Sequence, residues 1–280
     1  MALVIPNIFA SSVLEALGHN LKLRGLATDA TNLVGEIRNA GDTVTFPNLV
    51  RTATATEITK GTPLSVSNVD QVNATATVKH VGAGKRVFDV EAKQIKGAVM
   101  SATAQELADA MADKMEADLG AAILADAVFI EQTAAANAIT SAEIQKGLDL
   151  FGDQVDTDSF AAIVVNSKLR SSFMGMTEFT KADTTYHVMG NGITVNGVIG
   201  FYFGIPVMLA DKAGTWDSTK NECVSYILKR GALSYVLQQD LTVEEQRPER
   251  LFATDLLISS LYATKLLNTK GVAVLRKTTV

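Results

Sequence analysis

The sequence predicts an α+β fold, and three observations carry that expectation. Residues 41–87 hold a Thr/Val/Ala-rich stretch with a period of two, and from 47 to 87 they contain no Phe, Tyr or Trp. One long stripe of apolar residues at helical spacing follows between Thr103 and Ala127. The second half consists of short apolar runs punctuated by Gly and Pro, the pattern of strands with turns. The bulk numbers suit a folded domain with a real core, since 47% of the 280 residues are hydrophobic and 20% are charged.

Taken in order, residues 6–25 place Phe9, Val13, Leu14, Leu17 and Leu21 at helical spacing, and residues 26–42 read as a link. "TVTFPNLV" reads as a strand ending near Pro47. Residues 51–81 form an excursion of two strand-like halves around "KGTPLSVSN", whose Gly61 and Pro63 signal a turn. In the return half Val72, Ala74, Ala76 and Val78 alternate with Asn73, Thr75, Thr77 and Lys79, which is strand periodicity. "GAGKRVFDVEAKQIKG" leads back to the body.

In "SATAQELADAMADKMEADLGAAILADA" Thr103 and Glu106 have capping-box spacing, and Leu107, Met111, Met115, Leu119 and Ile123 recur every four residues. This predicts a helix of about seven turns. Its other face carries Glu106, Asp109, Asp113, Glu116 and Asp118 against Lys114. Thr140 and Glu143 make a second capping box, with Ile144, Leu148 and Phe151 as the helix face. "FAAIVVN" reads as a buried strand and "SKLRSSFMG" as a short helix capped by Asn166. Residues 174–197 read as a loop with weak strands. "IGFYFGIPVMLADK", "CVSYILKRG" and "LSYVLQQ" read as strands. The tail is strand-rich, with a turn at residues 268–271 that suggests a hairpin, although residues 256–267 also fit helical spacing.

Motifs of catalysis are thin. "GAGKR" lacks the upstream Gly and the Ser or Thr of a phosphate loop, so it reads as a flexible turn. "GNGITVNGVIG" lacks a strand-to-helix setting. Asp153, Asp156 and Asp158 cluster, but without the Gly and Glu that a calcium loop requires. His19, His80 and His187 are dispersed. The lone Cys223 excludes an intrachain disulfide and reads as a buried, inert thiol. No cofactor is expected. A formal charge of −5 argues against a protein that grips nucleic acid, though not against one that encloses it. The N-terminus lacks the cationic region of a secretion signal and no run reaches membrane-span length, so a cytoplasm-like compartment is expected.

The charges are more informative than the motifs. Lys79, Lys85, Arg86, Lys93 and Lys96 on the returning segment, set against Asp89 and Glu91, complement the acids of the long helix. Such faces set register between surfaces. Lys60, at the tip of the excursion, reads as a solvated lysine rather than a cross-linking one.

The order of parts resembles the major capsid proteins of tailed bacteriophages, the Hong-Kong-97-like (HK-97-like) fold. The resemblance rests on "GDTVTFP" with "TKGTPL" downstream, on "GFYFGIPV", and on "RPERLFATDLLISSLYATKLL" followed by "GVAVLRK". It implies an N-arm (1–35), a peripheral domain (36–50, 85–137 and the strands of 237–280) with a long spine helix, an extended hairpin or E-loop (51–84), and an axial α/β domain (138–236). It further implies a shell subunit, not an enzyme, that packs with copies of itself in hexamers and pentamers around double-stranded DNA. Expected contacts between subunits fall on Arg51, Glu57, Lys60, Lys79, Lys85, Arg86, Glu106, Asp109, Asp113, Glu116, Arg247, Glu249 and Arg250. No acidic coiled-coil extension precedes the N-arm, which implies a separate scaffolding protein. A portal and a decoration protein complete the expected partners, with the virion capsid as location and the host cytoplasm during assembly. The alternatives are an encapsulin-like nanocompartment shell and an α/β enzyme with an unrecognised site; an adhesion protein is disfavoured for want of a secretion signal.

Overall fold

A computed structural model describes residues 21–32, 39–49, 57, 71–90, 98–153, 155–181 and 197–278. The expected N-terminal helix lies outside them, except for its end, where Arg24–Leu26 form one 3-10 turn.

Two sheets and one long helix organise the chain. The first sheet has the order β1-β13-β14-β4. It comprises β1 (Thr28–Asp29), β13 (Leu233–Gln246), β14 (Ala253–Leu266) and β4 (Lys79–Phe88), antiparallel apart from the β1–β13 pair. The second runs β5-β15-β12-β6-β9-β8-β7. Its strands are β5 (Phe129–Gln132), β15 (Val272–Arg276), β12 (Ser225–Lys229), β6 (Phe160–Val165), β9 (Ile205–Leu209), β8 (Val198–Tyr202) and β7 (Phe179–Lys181). Two further pairs are β2 (Thr43–Leu49) with β3 (Gln71–Thr77), and the short β10 (Trp216–Asp217) with β11 (Glu222–Cys223).

The long helix α1 spans Ala98–Asp126. Thr103 and Glu106 therefore lie inside it and do not cap it; Thr103 is buried. The S/T-x-x-E spacing also occurs inside helices, and the sequence does not separate the two cases. The predicted stripe is correct: Leu107, Met111, Met115, Leu119 and Ile123 are all buried. Its first half packs with Val87, Leu256 and Ile258 on the first sheet. Its second half shares a core with Tyr262 and Leu266 and with Val164, Tyr226, Val272 and Val274 of the second sheet. Each fully buried side chain of this kind contributes roughly 1.5–3 kcal/mol.

The opposite face of the second sheet is covered by α2 (Ser141–Asp149) and α3 (Arg170–Met174). The capping box of α2 forms as predicted, with Glu143 Oε2 accepting from Thr140 N at 2.7 Å. Asn166 accepts from Lys168 N, so the predicted cap is present on the 3-10 turn that leads into α3. Phe203 and Gly204, with φ of 46° and 81°, turn β8 into β9 in the geometry of a two-residue hairpin.

Three expectations change, and the strand reading of residues 256–267 prevails over the helical alternative. Pro47 does not end β2, which continues to Leu49; among the described residues β2 pairs only with β3, and an edge strand tolerates a missing donor. "GAGKR" is no turn but the interior of β4. A Cβ on Gly84 would lie 2.6 Å from Leu257 Cδ2, so the glycines let β4 sit close against β14. Residues 256–267 are strand through Leu266, and Leu256, Ile258, Ser260 and Tyr262 alternate inward. The turn at residues 268–271 forms, with Gly271 N donating to Asn268 O at 2.9 Å, but it makes no hairpin. Both edges of β14 are occupied by β13 and β4, so β15 crosses to the second sheet, pairing with β12 and β5. Hence the tail is divided between the sheets, and β4 is already paired with β14 from Lys79 onward. Residues 182–196 of the expected loop lie outside the described residues.

One position fixes how α1 lies on the second sheet. A Cβ on Gly120 would fall 2.0 Å from the carbonyl oxygen of Ala213, a backbone atom held in place by the bond from Tyr226 Oη to Gly214 O. Gly120→Ala is therefore expected to destabilise the chain by about 1–3 kcal/mol despite its better helix propensity. A urea midpoint equal to or above the parent's would contradict this close approach.

Candidate assembly interface

The excursion leaves the body from a fixed base. Gly41 N donates to Val78 O at 3.0 Å and Val78 N to Asp42 O at 2.9 Å, closing β2 onto the end of β3. Val44, Phe46 and Val78 are buried with Ala30, Val236 and Ala263. Ala74 and Ala76 pack against this cluster, while Thr43, Thr45, Thr75 and Thr77 face solvent. The base is thus a two-sided ribbon, one face apolar and one polar. Of the residues beyond it, Glu57 is exposed; Arg51 and Lys60 lie outside the described residues.

The charges expected to meet across molecules are largely paired within one. Lys85 binds Glu106, and Arg86 forms a two-pronged pair with Asp255 at 2.6 and 2.7 Å. Arg247 binds Asp89 at 2.7 Å, and Lys212 binds Asp113 at 2.7 Å. The reason is topological: β4 lies beside α1 in the same chain. Asp109 sits half-buried at the rim of a cavity of about 520 Å³ with Lys22, Asp113, Ser167 and Asp211. Arg250 is exposed, Glu249 opens the turn after β13, and Lys93 and Lys96 lie outside the described residues.

Two acids assigned to the open face of α1 are in fact internal. Asp118 is buried and accepts from Lys79 at 2.9 Å, Lys114 at 3.0 Å and Tyr262 Oη at 2.8 Å. It joins the helix, the start of β4 and the middle of β14. Burial alone would raise its pKa; the bonds from Lys79, Tyr262 and Lys114 outweigh burial and hold it below the usual 3.8. Glu116, the one buried member of the expected contact set among the described side chains, accepts from Leu23 N with both oxygens at 2.8 and 2.9 Å and from Arg24 N at 3.1 Å. It ties the end of the N-terminal segment to α1 and is withdrawn from any surface contact. Here burial prevails over the backbone donors and raises the carboxyl above its usual 4.5. The exposed face of α1 carries Ala102, Gln105, Glu106, Ala110, Lys114, Ala117, Ala121, Leu124 and Ala125, mostly small side chains with one fully exposed acid.

Other motif residues stay peripheral. Cys223 is buried, with Sγ 3.5 Å from Asn137 Oδ1, and burial pushes its thiol up. Asp153, Asp156 and Asp158 are exposed, and no group of metal-ligating side chains occurs among the described residues. No helix among them is long and apolar enough to cross a membrane. Sequence reasoning missed the exposed apolar residues Leu251 and Phe252; the signal was present in "RLF", two apolar residues inside a turn.

A family model described as phage capsid protein matches residues 71–274. No protein of curated function matches the sequence. Among solved structures, one from Mycobacterium phage Che8 superposes with a TM-score of 0.66 at 18% identity, over 92% of this chain and 91% of that one. One from Gordonia phage Cozz gives 0.64 at 14% identity, over 93% and 87%. The virus-like particle from Pyrococcus furiosus gives 0.62 at 13%, over 95% and 96%. At these identities the likeness is one of fold.

The two buried acids predict opposite pH behaviour. Asp118 stabilises the fold above pH 3.8, and that contribution is lost as pH falls through its depressed native value. Asp118→Asn should cost about 1.5–3 kcal/mol at pH 7, and the difference from the parent should shrink below pH 3.8. The contribution of Glu116 is complete below pH 4.5 and is lost as pH rises through its raised native value. Glu116→Gln should therefore gain on the parent between pH 4.5 and 7. Denaturant midpoints across pH 3–7 read both slopes, and a Glu116→Gln profile parallel to the parent's would refute the second.

Proposed function

Because the chain belongs to the phage capsid protein family and has the Hong-Kong-97-like fold, we propose that it is the shell subunit of a tailed phage, joining with its own copies in hexamers and pentamers to enclose double-stranded DNA. The observation that carries this reading is the family match over residues 71–274, which takes in β3, β4, α1 and, apart from β1 and the end of β15, the strands of both large sheets. The role is structural rather than catalytic, and its place is the virion capsid. The family match does not favour the nanocompartment alternative.

In this reading residues 1–35 are the N-arm, and the excursion that starts near residue 51 is the E-loop, lying over a neighbouring subunit. The outer face of α1 suits it as a track, because small side chains at Ala110, Ala117 and Ala121 leave room for an extended backbone. Glu57, Asp109, Glu249 and Arg250 serve contacts between subunits, as do the outer pairs Lys85–Glu106 and Arg247–Asp89 by exchanging partners. A separate scaffolding protein, a portal and a decoration protein act in host-cytoplasm assembly. Each contact is weak, and closure makes the shell stable because every subunit is held at several places at once. A net charge of −5 suits a container that must not trap its DNA.

Light scattering and negative-stain imaging of the purified chain, with its scaffold supplied, test the reading. Uniform closed shells are expected; a monomer or dimer at all concentrations sinks it. Replacing residues 52–69 by a short Gly-rich turn spares the buried base of the arm, so this variant should fold with an unchanged thermal midpoint yet form no closed shells.

A further inference from the structure

The two outer strands of the second sheet are finished differently. β7 ends in the exposed Thr180 and Lys181. β5 instead presents Ile130, 44% exposed, two residues after Val128, 58% exposed. Leu124, 39% exposed, lies one helical turn before Val128 at the end of α1. Side chains alternate along a strand. Phe129 packs on the α2 side of the sheet, whereas Val274, the neighbour of Ile130, belongs to the core on the α1 side. Ile130 and Gln132 therefore share the α1 face of the edge, and neither is charged.

The backbone of this edge is open as well. Thr133 N donates to Arg276 O at 3.0 Å, and along a parallel ladder bonded residues alternate with outward-facing ones. The N–H and C=O groups of Ile130 and Gln132 thus point away from β15, and among the described residues β5 pairs with no other strand. Open donors and acceptors beside large apolar side chains are a template for one more strand. The other sheet edges are guarded. β2 contains Pro47, β7 ends in Lys181, β1 has only two residues, and β4 carries Lys79, Lys85 and Arg86. On β5 the one charge, Glu131, falls on the opposite face to Ile130.

The ends of β5 identify the occupant. Val128 N donates to Thr269 O at 3.3 Å, and Gln132 Nε2 donates to Lys277 O at 3.0 Å. Lys270 therefore stands at one end of the edge and Lys277 at the other. Both are exposed, and Asp126, the acid at the end of α1, is taken by Lys265 at 2.9 Å. An incoming strand that is acidic at both ends and apolar at alternate positions between them complements this edge. The described edges of a second copy do not: β2 lacks the donor at Pro47, and β4 and β7 would bring cations toward Lys270 and Lys277.

We propose that the outer edge of β5 is a docking site for an extended segment of a different protein, which adds a strand beside Ile130, covers Val128 and Ile130 with its apolar side chains, and meets Lys270 and Lys277 with an acidic residue at each end. The site is carried by the single subunit and goes beyond the shell reading.

A fluorescent peptide, Glu-Val-Thr-Val-Thr-Val-Glu, titrated into the purified full chain and followed by anisotropy, tests it. The same peptide with lysine at both ends is the control. The acid-ended peptide is expected to bind at least about tenfold more tightly than the control, and to slow amide hydrogen exchange over residues 128–133. Ile130→Lys, with an unchanged thermal midpoint, should abolish binding. Lys270→Glu combined with Lys277→Glu, which leaves the apolar face intact, should reverse the preference between the two peptides. Absence of binding, or equal binding of both peptides, overturns the proposal. So does slow exchange over residues 128–133 before any peptide is added, because the chain then covers the edge itself. Val128→Cys that cross-links to a second copy in assembled shells overturns it too, and leaves the shell reading intact.

Discussion

The burial of one face of α1 against two sheets is the constraint on which the rest depends. A single sheet would need a helix of three or four turns, and α1 has about eight. Leu107 and Met111 serve the first sheet, whereas Leu119 and Ile123 reach Tyr226 and Val274 of the second. The helix is therefore a rigid bar on which two otherwise separate cores are registered. The direct approach of Gly120 to the carbonyl of Ala213 allows no play at that point. A shell subunit needs this stiffness, because angular error between its parts would accumulate over every contact of a closed assembly.

Two buried carboxylates on that bar, two residues apart, do different work. Asp118 gathers Lys79, Lys114 and Tyr262, so the strand that returns from the arm is pinned where it enters the sheet. Glu116 holds the backbone of residues 23 and 24, so the N-terminal segment is pinned where it leaves the body. Both extensions thus start from fixed points. A buried charge is costly unless its acceptor sites are filled, and backbone N–H groups, lysines and a tyrosine fill them here.

The same division appears at the sheet tip. Strands β13 and β14 are more than twice the length of any strand in the second sheet, and they carry their turn well beyond the core. An ordinary turn would be polar. This one ends in Leu251 and Phe252, held by Asp89 and Arg247. Arm base and tip are alike in that their backbone is fixed from within the chain while their surface is unfinished.

Much of the local structure was legible in the residues. Alternation marked β3, a four-residue repeat marked the buried face of α1, Thr140 and Glu143 marked the start of α2, and "GFYFGIPV" marked a hairpin. These depend on neighbours a few residues away, which a sequence displays directly. Three things were not legible. Residues 256–266 fit either period, and only occupied neighbours on both sides made them strand. The turn at residues 268–271 promised a hairpin, but with no free edge on β14 the next strand crossed to the other sheet. Lys79, Lys85 and the acids of α1 looked like complementary surfaces of different molecules until β4 was seen to lie beside α1. By itself the sequence determined the periods of β3 and α1, the caps of α2 and of the turn before α3, and the family, because short-range sterics and burial patterns are written along the chain. The tertiary structure alone decided which edges were filled, which charges were internal and which apolar residues stayed in water, because each of these depends on residues tens to hundreds of positions away.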